Sequence, residues 1–230
     1  STNDTAKQHQ LTSGGLTYDV TGAENYTTLL AIAPSPITID ELWVGTDDGK
    51  LQLTRDGGAT WTDLSDKLKG APKGSWIPFI HVSVHSPGEA FIVVNDYRRN
   101  HWKPYLFYTT NYGKSFKNLA NADTIKSFCV SIIQDPVEEN LLFLGADDGL
   151  YYSLDKGENW TKWAKDFPSV QVSDLKIQER EKDLVVGTFG RAAWVLDDIE
   201  PLRVLASENN SLDKQTITAL AAPTAVLANY

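Results

Sequence analysis

The stretch DYRRNHWKP, positions 96–104, concentrates the side chains best suited to recognising a partner: Arg98, Arg99, His101 and Lys103 beside Trp102, with Tyr105 next in the chain. Guanidinium groups pair with carboxylates and exposed rings stack on flat or apolar faces, so this stretch suits carbohydrate stacking or the docking of an acidic peptide. Packing against a neighbouring structural unit would use the same residues. A second set, Asp47, Asp147 and Arg191, would suit glycoside cleavage if it converged on one rim, since that chemistry needs two carboxylates about 5 to 10 Å apart. Asp47 and Asp147 each open an Asp-Asp-Gly triplet, however, and that triplet is also ordinary tight-turn chemistry.

Other chemistries find little support. His81 and His85 lie four apart on a strand-like run, too far to share one ion, and His9 and His101 stand alone, so no metal site is expected. No glycine-rich phosphate loop precedes a helix and no Ser, His and Asp arrangement stands out, so no cofactor is expected. The net charge of −9 without a Lys/Arg stripe argues against nucleic acid. No apolar run is long enough to span a bilayer, which argues against membrane insertion. The single cysteine, Cys129, sits in the apolar run SFCVSII and reads as a buried thiol.

The elements that position these residues are announced by a repeat. TRDGGATW, TTNYGKSF and SLDKGENW place Asp56, Asn111 and Asp155 in one frame, each followed five residues later by an aromatic, Trp61, Phe116 or Trp160. The Asp or Asn side chain accepts from backbone N–H groups ahead of it, Gly supplies a positive φ, and the aromatic folds between sheets. These residues are stability devices. Around each turn lie an apolar strand, a second strand, a third strand and a short fourth, as in LLAIAPSP, ELWVGT, KLQLT and TWTDLS. Four-stranded units of about 40 to 50 residues are the signature of propeller blades.

The expected fold is therefore all-β, a β-propeller of four-stranded antiparallel blades, with about four blades present as part of a larger propeller. Residues 1–28 read as a lead-in that could end a preceding blade. The blades occupy 29–70, 71–120, 121–165 and 166–200, and 201–230 form a tail of either helical or strand character. In the fourth unit Gly190 to Asp197 aligns with Gly49 to Asp56, but no Gly-x-x-Trp follows and the array stops. The missing blades are expected in another chain or region, because exposed blade faces and strand edges are association sites.

The three turns resemble Asp-boxes, the BNR repeats of sialidases, xyloglucanase-type hydrolases, photosystem-assembly-factor-like propellers and sortilin-type receptors. LWVGTDDGKLQLTRDGGATW, WKPYLFYTTNYGKSF and DLVVGTFGRAAWVLDDIEPLR further resemble the C-terminal half of the propeller in large bacterial sortilin-like proteins of the cell envelope. The resemblance covers roughly residues 25 to 203 and implies a secreted or surface location. Where those relatives carry GTHGRG, this chain has Gly187, Thr188, Phe189, Gly190, Arg191 and Ala192; where they read W-V-S-R, it has Trp76, Ile77, Pro78 and Phe79. Rings replace an imidazole and a guanidinium. The resemblance thus implies a non-catalytic binding or scaffold module with protein or glycan partners; the alternative is a glycosidase whose other half supplies catalytic carboxylates. The binding reading needs Arg98, Arg99, Trp102 and Tyr105 exposed together, and the enzyme reading needs Asp47, Asp147 and Arg191 lining a cleft.

Overall fold

The computed structural model describes residues 27–207; the lead-in up to residue 26, His9 and the tail beyond residue 207 lie outside the described residues. Among the described residues, fifteen strands form four antiparallel sheets in chain order. The first holds β1 (Leu29–Pro34), β2 (Leu42–Thr46), β3 (Leu51–Thr54) and β4 (Thr62–Asp63). The second holds β5 (Trp76–Val82), β6 (Ala90–Asp96), β7 (His101–Thr109) and β8 (Lys117–Asn118). The third holds β9 (Cys129–Gln134), β10 (Leu142–Ala146), β11 (Gly149–Ser153) and β12 (Thr161–Lys162), and the fourth β13 (Val172–Gln178), β14 (Asp183–Thr188) and β15 (Ala193–Leu196). Within each sheet neighbouring strands follow one another in sequence, which is the meander of a propeller blade.

The repeat has one hydrogen-bond scheme. In the first turn the Thr54 hydroxyl donates to Asp56 and accepts from Gly58 N–H, while Asp56 accepts from the backbone and hydroxyl of Thr60. Ser153, Asp155, Gly157 and Asn159 reproduce it in the third blade. With Asn111 in the second, one bond reverses: its amide donates to Ser115 Oγ at 2.8 Å. Residue 57, 112 or 156 then adopts positive φ and donates its N–H to the turn between first and second strands, at Asp40, Gly88 or Asn140. These turns therefore share one face of the propeller. The turns between second and third strands lie on the other, tied to the start of the first strand by Asp47 N–H to Thr28 O and Asp147 N–H to Phe128 O.

Three apolar clusters fill the gaps between successive blades. Trp43, Ile77, Ile92 and Phe107 anchor the first, Phe91, Leu106, Ile132 and Tyr151 the second, and Phe143, Leu175, Leu184 and Ile199 the third. Close inner packing explains Gly45 and Gly145: a Cβ there would meet Ile77 Cγ2 at 2.6 Å or the Val172 carbonyl oxygen at 2.6 Å on the next blade. Buried Cys129 belongs to the second cluster, and desolvation pushes its thiol up to about 12.

Three expectations need correction. The fourth blade has three strands, because the chain leaves β15 for helix α1 (Glu200–Ser207) where other blades make a fourth. Its register is also shifted by one. Leu184 pairs with Leu196 as Leu42 pairs with Thr54, so Asp198 is the counterpart of Asp56, and Phe189 that of Asp47. Leu196 has no hydroxyl to close the turn; Asp198 instead accepts from Glu200 N–H at the start of α1. Finally, Trp61 is 44% exposed whereas Trp160 is buried and Phe116 half-buried, because no described blade precedes the first.

Candidate functional site

The DYRRNHWKP segment is an extended hairpin. β6 and β7 continue pairing as far as Asp96 and His101, leaving only the short 3-10 turn Tyr97–Arg99 and left-handed Asn100 between them. Placement of its side chains follows. Arg98, Arg99, His101 and Trp102 are exposed at or beside the tip, but Tyr105 is 6% exposed and stacks near Phe107 in the first cluster. Tyr105 therefore drops out of any exposed surface, since strand alternation turns it inward. Trp102 donates its indole N–H to Asn100 and leans on Tyr97 and Phe128, which stack at 4.5 Å. Burial, with Asp147 nearby, pushes the Tyr97 phenol up.

Between the first two blades, on the face of the second-to-third-strand turns, lies a groove of about 710 Å³. One wall is the turn at Asp48–Lys50 and the connection after β4; the other is the hairpin tip with Arg98 and Arg99. The Arg98 guanidinium lies 3.7 Å from the centre of the Trp76 ring, and burial lowers its pKa. Arg99 is fixed by Asp96, through Nε at 2.7 Å, and by the Lys73 carbonyl at 2.9 Å. Gly49 and Gly74, both at positive φ, bring the turn and the connection of the first wall together: a Cβ on Gly49 would meet Gly74 Cα at 2.7 Å. Lys69, Lys73 and Trp76, which sequence reading did not assign to a site, come from KLKGAPKGSW, whose Gly and Pro are loop-forming residues.

The proposed carboxylate pair is otherwise engaged. Asp47 is buried and accepts from Thr27 N–H and Thr28 N–H at 2.8 Å each, and burial raises its pKa despite those bonds. Asp147, its counterpart two blades on, accepts from Ser127 Oγ and from Gln171 Nε2 at 3.0 Å. Between them Asn95 takes the same place and donates to the Cys129 carbonyl. Arg191 is exposed on the fourth blade. None of Asp47, Asp147 and Arg191 lines the groove. Among the described residues no group of three His, Cys, Asp or Glu side chains could hold a metal ion, and no helix is long and apolar enough to cross a membrane.

No protein-family model and no curated protein matches the chain. Solved structures do. An ancestral GH74 enzyme superposes with a TM-score of 0.57 at 18% identity, covering 71% of this chain and 22% of its own. The GH74 xyloglucanase of Xanthomonas campestris gives 0.57 at 13%, covering 74% and 29%. YCF48 bound to D1 peptide gives 0.54 at 18%, covering 74% and 50%. These are propellers, and with the four meandering sheets they decide the fold. The chain is a partial β-propeller. The extracellular domain of a one-component system from B. thetaiotaomicron, at 0.55 and 16%, covers 75% of it and 21% of that chain. The propeller described here thus spans between about a fifth and a half of these neighbours, whose names include both enzymes and binding proteins.

Proposed function

We propose that this chain is part of a non-catalytic binding or scaffold propeller, with Asp-box turns, in a secreted or surface-attached bacterial protein, and that it engages a protein or glycan partner. The carrying observation is a division of labour. The groove between the first two blades is lined by Arg98, Arg99 and Trp76, with exposed Trp102 on the same hairpin tip, whereas Asp47 and Asp147 spend their carboxylates on holding the chain together. Binding residues on loops over a rigid scaffold are the usual arrangement. One structural neighbour, YCF48, is seen with a peptide, which supports a binding role for this fold. The remaining blades come from another chain or region and complete the surface.

A peptide and glycan array probed with the whole parent protein, alongside a glycan hydrolysis assay, tests the reading. The expected outcome is binding weakened by Trp102→Ala without turnover. Turnover abolished by Asp47→Asn or Asp147→Asn would establish the hydrolase instead.

A further inference from the structure

Each blade receives the next in the same way. The first strand of the arriving blade lays two apolar side chains on the blade before it: Ile77 and Ile80 on the first, Cys129 and Ile132 on the second, Val172 and Leu175 on the third, all of them buried. Ile77 lies on the bare backbone of Gly45 and Val172 on that of Gly145, at distances where a Cβ would collide. In the second blade the residue at this register is Val93, and there the arriving side chain is the smaller Cys129. Receiving and arriving residues thus trade volume, as close-packed interiors require.

Each end of the array is left with one half of this fit. Gly187 pairs with Asp174 as Gly45 pairs with Ala31 and Gly145 with Ser131, which puts it at the receiving place of the fourth blade. Its φ is not positive, and a Cβ there would meet nothing across space closer than the Asp174 carbonyl oxygen at 3.6 Å, so neither turn geometry nor a described neighbour calls for glycine. At the other end Leu29 and Ile32 stand at the registers of Cys129 and Ile132, on a strand with no described blade to receive it, and both are exposed. The polar partners change together as well. Between the second and third blades Gln134 N–H donates to His81. In the fourth blade Lys176, which can only donate, takes the place of His81, and in β1 Pro34, which has no N–H, takes the place of Gln134. Resting on the reading that further blades complete this propeller, we infer that the open face of the fourth blade receives β1 of a second copy of this chain, head to tail, with Leu29 over Gly187 and Ile32 beside it. Asp174 and Lys176 are exposed on this face where the other blades carry mostly apolar residues, so the contact is more polar than those within the chain, as suits chains that meet reversibly.

The test uses the full chain in two blocked forms, followed by sedimentation velocity with one form fluorescein-labelled. Gly187→Val fills the receiving place and leaves β1 untouched; Leu29→Glu/Ile32→Glu puts charge on β1 and leaves Gly187 open. The parent should associate reversibly above its 25.5 kDa, and each blocked form alone should associate about tenfold more weakly, the effect of one overpacked or charged contact. Gly187→Ala, the smallest filling, should already weaken association. Mixed in equal amounts, the two blocked forms should pair, since one supplies a free β1 and the other an open Gly187, a rescue that contact between like faces does not give. Circular dichroism matching the parent would show the variants folded. A mixture that stays monomeric, or self-association indifferent to both Gly187→Val and Gly187→Ala, would overturn the inference. If the β1 variant alone blocks association, copies meet through like faces, and the inference fails while the reading of missing blades stands; if the parent is monomeric at every concentration, both fall.

Discussion

The indole nitrogen of Trp160 donates a 3.0 Å hydrogen bond to the carbonyl oxygen of Leu119, joining the third blade to the second. Leu119 follows β8 and has a counterpart, Leu64, that follows β4; both donate their N–H to the third strand of their own blade at 2.8 Å. Phe116 packs on the Leu64 side of the first cluster but has no N–H to offer. Trp61 has the N–H and no preceding blade among the described residues to receive it. Trp160→Ala should therefore cost about 3 to 5 kcal/mol in urea denaturation, and Trp160→Phe, which mainly loses the bond, about 1 kcal/mol. Trp61→Ala should cost well under Trp160→Ala in the isolated chain; equal costs would refute the inter-blade account.

Arg203 makes the counterpart link at the far end. Its guanidinium forks onto Asp135 with contacts of 2.9 to 3.1 Å, both side chains being buried, and reaches Glu200 as well. Asp135 meanwhile accepts from Val137 N–H and Glu138 N–H, closing the turn after β9. The pair thus fastens α1 of the fourth blade to the third. Removing one partner strands a buried charge, so Arg203→Ala should cost about 3 to 5 kcal/mol, and Arg203→Met, which refills the volume, should still leave Asp135 unpaired and destabilise the chain. Thermal unfolding followed by circular dichroism checks both.

That latch shows what could and could not be read from residues alone. The three turns were legible because Asp, Gly and the aromatic sit at fixed local offsets, and turn chemistry is local. The fourth blade was misaligned by one because Asp197 and Asp198 are adjacent and only strand pairing, Leu184 with Leu196, tells which fills the place of Asp56. The helix at Glu200–Ser207 competes with a strand on equal propensity, and the Arg203 to Asp135 contact that holds it spans distant sequence. At the site, Arg98 and Arg99 were visible as a charge anomaly. Trp76, Lys69 and Lys73 were not, since they reach the groove through a loop whose course depends on the close approach of Gly49 to Gly74.

His81 gives a pH signature. Its Nε2 accepts the Gln134 N–H at 3.3 Å, so protonation there would set donor against donor. Burial, with Lys176 and His85 adding repulsion, pushes its pKa down from 6.5 to about 4. The unfolded chain thus takes up the proton first. Stability from the neutral ring is full above about 6.5, declines as pH falls through the window, and levels off below about 4. Asp56, held to about 2 by Thr60 and Thr54, titrates below that window. Urea midpoints of the parent against His81→Gln should converge or cross as pH drops from 7 to about 4.5; a gap independent of pH would rule out the imidazole as its source.

The first blade's free side carries the last prediction. Ile32 is 62% exposed, Leu29 43% and Trp61 44%, on a sheet whose equivalents in the second and third blades are covered by the blade before them. Scattered apolar residues are ordinary, but three on one blade, two on β1 and one on the turn between β3 and β4, form the kind of patch that associates. The apolar positions match those that seat one blade on another, so the natural occupant is a further blade of the propeller. Without it, light scattering of the isolated chain should report a mass above that of a monomer, rising with concentration. Ile32→Glu combined with Trp61→Glu should return it to a monomer without lowering the urea midpoint by more than about 1 kcal/mol, because neither side chain is buried in the described blades. A parent chain that stays monomeric at every concentration would show that this face needs no partner, and the case for missing blades on that side would fall.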